Sequence, residues 1–155
     1  MKTRTIALTL ATLFAAVLVA FAAGDLQMGT WKLNEAKSKI PAGAGKNLTV
    51  VYTMAGDNVK STLDGVDAAG KPTHSEWTGK FDGKDYPVTG DPLYDSRAYV
   101  RLSAHTLSIV EKKGGKITLT GSIIVAADGK SRTVTTHTTD AKGNKVTTVT
   151  VYDKQ

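Results

Sequence analysis

From Gly29 onward, short runs in which apolar and polar residues alternate are separated by turns rich in Gly, Asp and Asn, almost to the last residue. A period of two is the signature of a strand with one buried face. The separators Ala55-Gly56-Asp57-Asn58, Asp82-Gly83-Lys84, Lys113-Gly114-Gly115-Lys116 and Asp128-Gly129-Lys130 carry the residues that tight hairpins need. The pattern predicts strands at about 29–34, 47–54, 58–65, 72–81, 96–103, 106–112, 116–126, 131–139 and 145–152, with a short tenth near 85–88. Two stretches break it. Residues 35–46 hold Pro41, Gly43 and Gly45 and room for one helical turn, and residues 85–95 hold Pro87, Gly90 and Pro92, which predicts a surface loop with Tyr86 tucked inward.

Parity along each strand then sorts the side chains. Leu48, Val50, Tyr52 and Met54 share a face, as do Trp77 and Phe81, and as do Ile117, Leu119, Ile123 and Val125. His74, Glu76, Thr78 and Lys80 fall opposite Trp77. Strand 96–103 is ambiguous, because Arg97, Tyr99 and Arg101 alternate with Ala98, Val100 and Leu102. An unpaired buried charge is costly, so the Ala-Val-Leu face is the expected interior and the arginines are expected in solvent. One buried face over this many short strands requires either a sandwich or a closed barrel. Sequential hairpins favour an all-β, up-and-down barrel of about eight to ten strands.

Composition agrees. Thr, Val and Ile supply 35 of the residues in 24–155, against 8 Leu and 3 Glu, which excludes a helix bundle. The chain has no Cys, so disulfides and thiolate chemistry are excluded. Lys2 and Arg4 precede an apolar run from Ile6 that ends in Ala20-Phe21-Ala22, the pattern of a secretory signal. Residues 1–23 are therefore expected to be removed after Ala22 or Ala23, leaving one domain, 24–155, in a periplasm or outside the cell with no membrane span. Loss of Lys2 and Arg4 lowers the formal charge from +6 to +4, a modest basic excess.

Gly29-Thr30-Trp31-Lys32-Leu33 opens the first predicted strand and Tyr152-Asp153-Lys154 closes the last. This pairing resembles the calycins, the lipocalins and fatty-acid-binding proteins, whose first strand commonly begins Gly-x-Trp. Residues 29–39 and Asp82-Gly83-Lys84-Asp85-Tyr86-Pro87-Val88-Thr89-Gly90 resemble, more specifically, a set of exported bacterial proteins that carry no assigned activity. The resemblance implies a ligand-binding barrel with Trp31 packed across its closed end. Two features depart from the fatty-acid-binding pattern: residues 35–46 are too few for a helix-turn-helix lid, and Tyr152 matches the Tyr of the family's Arg-x-Tyr pair while Thr150 stands in the Arg position.

Candidate chemistry is sparse. His74 and Glu76 alternate as metal ligands can, but on the face assigned to solvent, and His105 falls in a turn, so no metal or other cofactor is expected. Asp82, Asp85, Asp91 and Asp95 cluster in turns, where Asp usually shapes loops, and there is no Gly-x-Ser-x-Gly elbow. An enzyme is the third reading. Only Lys112, Lys113 and Lys116 lie close together, which does not make a nucleic-acid surface. The first reading is an exported binding protein for a small apolar or amphipathic ligand. Val50, Tyr52, Trp77 and Phe81 would form its walls, with Tyr99 and Arg101 as polar anchors if their face is internal. The second is an envelope or secreted protein-interaction or inhibitor module with a filled barrel.

Overall fold

The computed structural model describes Gly24–Gln155; the stretch read as an export signal, 1–23, lies outside the described residues. Ten strands follow one another: β1 Gly29–Leu33, β2 Lys46–Ala55, β3 Asn58–Val66, β4 Pro72–Gly79, β5 Tyr86–Thr89, β6 Ser96–Arg101, β7 Thr106–Lys113, β8 Lys116–Val125, β9 Ser131–Thr139 and β10 Lys145–Lys154. Every strand is antiparallel to its neighbours in sequence, and β1 pairs with β10 as well as with β2, so the meander closes into a barrel. Trp31 stands at the seam, opposite Lys154 on one side and Val50 on the other. Among the described residues every strand has a paired neighbour on both sides, whereas a two-layer sandwich would have kept edge strands.

The irregular segments behave as their composition requires. The turn in 35–46 is a single 3-10 turn, Glu35–Lys37, capped by the Asn34 side chain, which accepts a hydrogen bond from the Lys37 amide. Within 85–95, β5 pairs with β6 through Tyr86 opposite Arg97, and the Tyr86 ring meets Trp77 edge-on at 5.9 Å. Gly79 makes that approach possible, since a Cβ there would lie 2.5 Å from Tyr86 Cγ. Gly90 ends β5 with φ +81°, where a side chain would also collide with the His74 carbonyl.

One end of the barrel is plugged by the chain that precedes β1. The Met28 amide bonds to the Asp25 carbonyl at 2.9 Å, Gln27 donates through Nε2 to the His105 carbonyl at 3.2 Å, and Trp31 Nε1 donates to the Gln27 carbonyl at 2.9 Å. Leu26 and Met28 pack on the core from this side. Trp31 is fully buried.

The interior is built by the predicted faces of β2, β4 and β8: Val50, Tyr52, Trp77, Leu119, Ile123 and Val125 are buried. Leu48, Met54 and Ile117, predicted on the same faces, are exposed. Bulges account for two of them: Leu48 is the extra residue between the Asn47–Gly65 and Thr49–Asp64 pairs, and the register shift that puts Leu119 opposite Glu111 leaves Ile117 opposite Lys112 on the outer face, whereas Met54 lies one residue from the end of β2.

On β6 the expectation is reversed. Arg97 and Tyr99 point inward and are buried, whereas Val100 and Leu102 face solvent, with Leu102 63% exposed. The cost that argued against burying Arg97 is met by Glu111 of β7, which lies directly opposite it in the sheet register and holds it at 2.5 Å.

Candidate functional site

Between the plugged end and the opposite rim the barrel holds an open-mouthed cavity of about 280 Å³. Its apolar wall comes from β2, β3, β7 and β8 through Val50, Leu63, Ile109, Leu119 and Ile123. Its polar wall comes from β9 and β10, where Thr136, Thr138, Thr148 and Thr150 face inward, Thr136 directly opposite Thr148. Residues Ala44, Gly45, Lys46 and Asn47, together with Tyr94, frame the rim. The β8–β9 ladder runs from Val125 opposite Arg132 to Thr120 opposite His137. Rimward of that last pair a cleft opens between the two strands, and Leu119 and Thr138 line both cleft and cavity.

Four buried groups form a polar network along one side. Arg97 donates through Nε to Glu111 Oε1 and through Nη1 to the Tyr99 hydroxyl at 3.5 Å, and Tyr99 and Tyr52 share a hydrogen bond of 2.8 Å between their hydroxyls. Burial pushes the Glu111 carboxyl above the usual carboxylate range, while the Arg97 guanidinium beside it pulls the other way. Burial also drives Tyr99 well above its ordinary value, so its hydroxyl keeps its proton and remains a donor.

Arg132 of β9 is the second guanidinium of the cavity. It lies opposite Tyr152 of β10, and its Cζ sits 4.7 Å from the Trp31 ring centroid, 5.0 Å from Tyr52 and 5.2 Å from Tyr152. It is 2% exposed, and its Nε and Nη1 have no hydrogen-bond partner. Tyr152 itself donates to the Asn47 carbonyl at 3.1 Å.

No family model matches this chain, and no curated protein matches it.

Of the residues predicted as a site, Val50, Tyr52 and Tyr99 come together on the cavity wall. Trp77 and Phe81 do not line it. They stack at 6.3 Å behind Tyr99, which meets Trp77 edge-on at 4.9 Å, so they support the wall from within the core. Arg101 lies toward the plugged end, with its guanidinium 4.8 Å from the Phe81 centroid and ion-paired to Asp25. Sequence reasoning expected Arg97 in solvent, which the structure reverses, and it missed Glu111 and Arg132. Parity alone places Arg132 on the face of Val134, Thr136 and Thr138, but 131–139 is polar on both faces and offers no hydrophobic contrast to say which is internal.

The histidines stand outside the cavity. His74 pairs with Asp64 at 2.6 Å on the outer face, and Glu76 pairs with Lys60 at 2.7 Å. The hydrogen bond that His74 makes to the Asp64 carboxylate raises His74 above its ordinary histidine value of 6.5, while desolvation acts in the opposite direction. The folded protein therefore holds this proton more tightly than the unfolded chain, a contribution present below the ordinary histidine value and lost as pH rises through the raised one. In a proton NMR titration His74 should show a midpoint above 6.5 that falls in Asp64→Asn; an unchanged midpoint removes Asp64 as the cause.

Proposed function

We propose that this protein is an exported carrier of a small amphipathic molecule, held inside the barrel as calycins hold theirs. The cavity, lined by aliphatic side chains from β2, β3, β7 and β8 and by threonine hydroxyls from β9 and β10, is the observation that carries the reading. Packing normally leaves few voids larger than a water molecule in a protein interior, so a space of this size whose lining mixes Leu, Ile, Thr, Tyr and Arg fits a resident ligand. Arg97, Glu111, Tyr99 and Tyr52 are already bonded to one another and keep that wall in shape, with the Tyr99 hydroxyl at the cavity surface.

The test is native mass spectrometry of the mature protein purified from its own host, beside Thr148→Trp, which fills the polar wall. A non-covalent adduct on the wild-type protein that is missing from a folded Thr148→Trp supports the carrier. A bare wild-type mass, together with a melting temperature that no lipid or metabolite shifts, ends it.

A surface-interaction module is the competing reading, and one observation favours it. Leu102 bonds to Thr106, Thr106 lies opposite Ile124 in the sheet, and Val100, Leu102 and Ile124 stand exposed on the outer face. The bare-mass result would shift the assignment to that face.

A further inference from the structure

We propose that Arg132 is the binding group for a carboxylate, and that the carried molecule is a small organic acid inserted head-first, its anion on the cavity floor and its body directed toward the rim. This inference rests on the carrier reading and adds the ligand's class and its direction.

The charge balance inside the barrel is the first argument. Two guanidiniums and one carboxylate line the cavity, and the carboxylate, Glu111, is committed to Arg97 at 2.5 Å. Arg132 has no acidic partner among the described residues. A guanidinium keeps its charge inside proteins, so the cavity carries one uncompensated positive charge. Buried charges are ordinarily paired, and an isolated one is strongly unfavourable.

The donors make the second argument. Arg132 Nε and Nη1 are buried, without an acceptor, on a side chain that lines the cavity. Trp31, Tyr52 and Tyr152 surround the guanidinium and stabilise the cation through their ring quadrupoles, yet a ring face does not replace a hydrogen-bond acceptor. The three rings thus hold the group in place with N–H groups still unmet. An alcohol or carbonyl would supply an acceptor only; a carboxylate supplies the acceptors and the missing charge together. A dianion would leave the cavity negative by one charge.

Direction follows from position. Arg132 lies near the start of β9 beside the plugged end, where Trp31 closes the barrel, whereas Thr136, Thr148 and Thr150 continue toward the rim and share the cavity with Leu63, Ile109 and Ile123. A head on Arg132 leaves the rest of the molecule between hydroxyls and aliphatic side chains.

Isothermal titration calorimetry with octanoate and octanol, which share a chain and differ in the head, tests this on the mature wild-type protein, Arg132→Met and Arg132→Lys. Octanoate should bind the wild type at least about tenfold more tightly than octanol, because the charge pair is desolvated. Arg132→Met should lose that preference, chiefly through weaker octanoate binding, and its melting temperature should not fall, since a buried unpaired charge has been removed. Arg132→Lys, which keeps the charge and loses the guanidinium donors, should retain a reduced preference for the acid. Equal wild-type affinities, or a preference that survives in Arg132→Met, would overturn the inference while leaving the carrier standing. Binding of neither probe to the wild type would overturn the inference as well, whereas the carrier reading falls only with a bare wild-type mass.

Discussion

Glu111→Ala is expected to cost about 3–5 kcal/mol of folding stability, read from urea unfolding of residues 24–155. The side chain it removes is 3% exposed and accepts from Arg97 Nε, and Arg97 is 2% exposed. What remains is a buried guanidinium with a distant tyrosine hydroxyl at 3.5 Å as its side-chain acceptor. Desolvation of that unpaired charge, more than the loss of one contact, sets the size of the effect. Glu111→Gln should cost less, because an amide oxygen can still accept from Nε. Replacing both partners, Arg97→Met with Glu111→Leu, should recover much of the loss, because no charge is then left buried. A Glu111→Ala variant within about 1 kcal/mol of wild type would mean that water reaches Arg97 and screens it.

Trp77→Ala is expected to cost a similar amount, about 3–5 kcal/mol. Its ring is 1% exposed and central to an aromatic cluster, stacked on Phe81 and edge-on to both Tyr86 and Tyr99. Gly79, which lets Tyr86 close on that ring, offers no side chain to fill the space left behind. The substitution also removes the hydrogen bond that Trp77 Nε1 donates to the Arg97 carbonyl at 3.0 Å. Trp77→Phe keeps most of the volume and loses that bond, so it should lie between wild type and Trp77→Ala. Since a domain is stable by only about 5–15 kcal/mol, either Ala variant consumes a large part of the total. Both touch Arg97, through its side chain and its backbone, so the double variant should depart from the sum of the single losses. Strict additivity would show that cluster and ion pair are independent.

The same network explains the distribution of functional side chains. Residues that hold the wall, such as Trp77 and Phe81, sit behind it and face one another, whereas Tyr52 and Tyr99 belong to both cluster and cavity. Arg101, in sequence an equal partner of Arg97, is drawn to Asp25 in the segment that plugs the barrel. Two arginines four residues apart on one strand face therefore make different contacts, one beside the cavity and one at the plugged end.

Much of this was written in local pattern. Strand boundaries, the hairpin turns, the closed meander and the sorting of Val50, Tyr52, Trp77 and Ile123 to one side follow from a period of two and from Gly and Asp at the turns, which are properties of neighbouring residues. What tertiary structure alone decided is which face of β6 looks inward and which charges are matched. Those outcomes depend on Glu111 lying across from Arg97 and on Tyr152 lying across from Arg132, partners 14 and 20 residues away in the chain. Parity names the residues that share a face; the energy of burying a charged one is set by what the adjoining strand places beside it, and that is fixed only when the barrel closes.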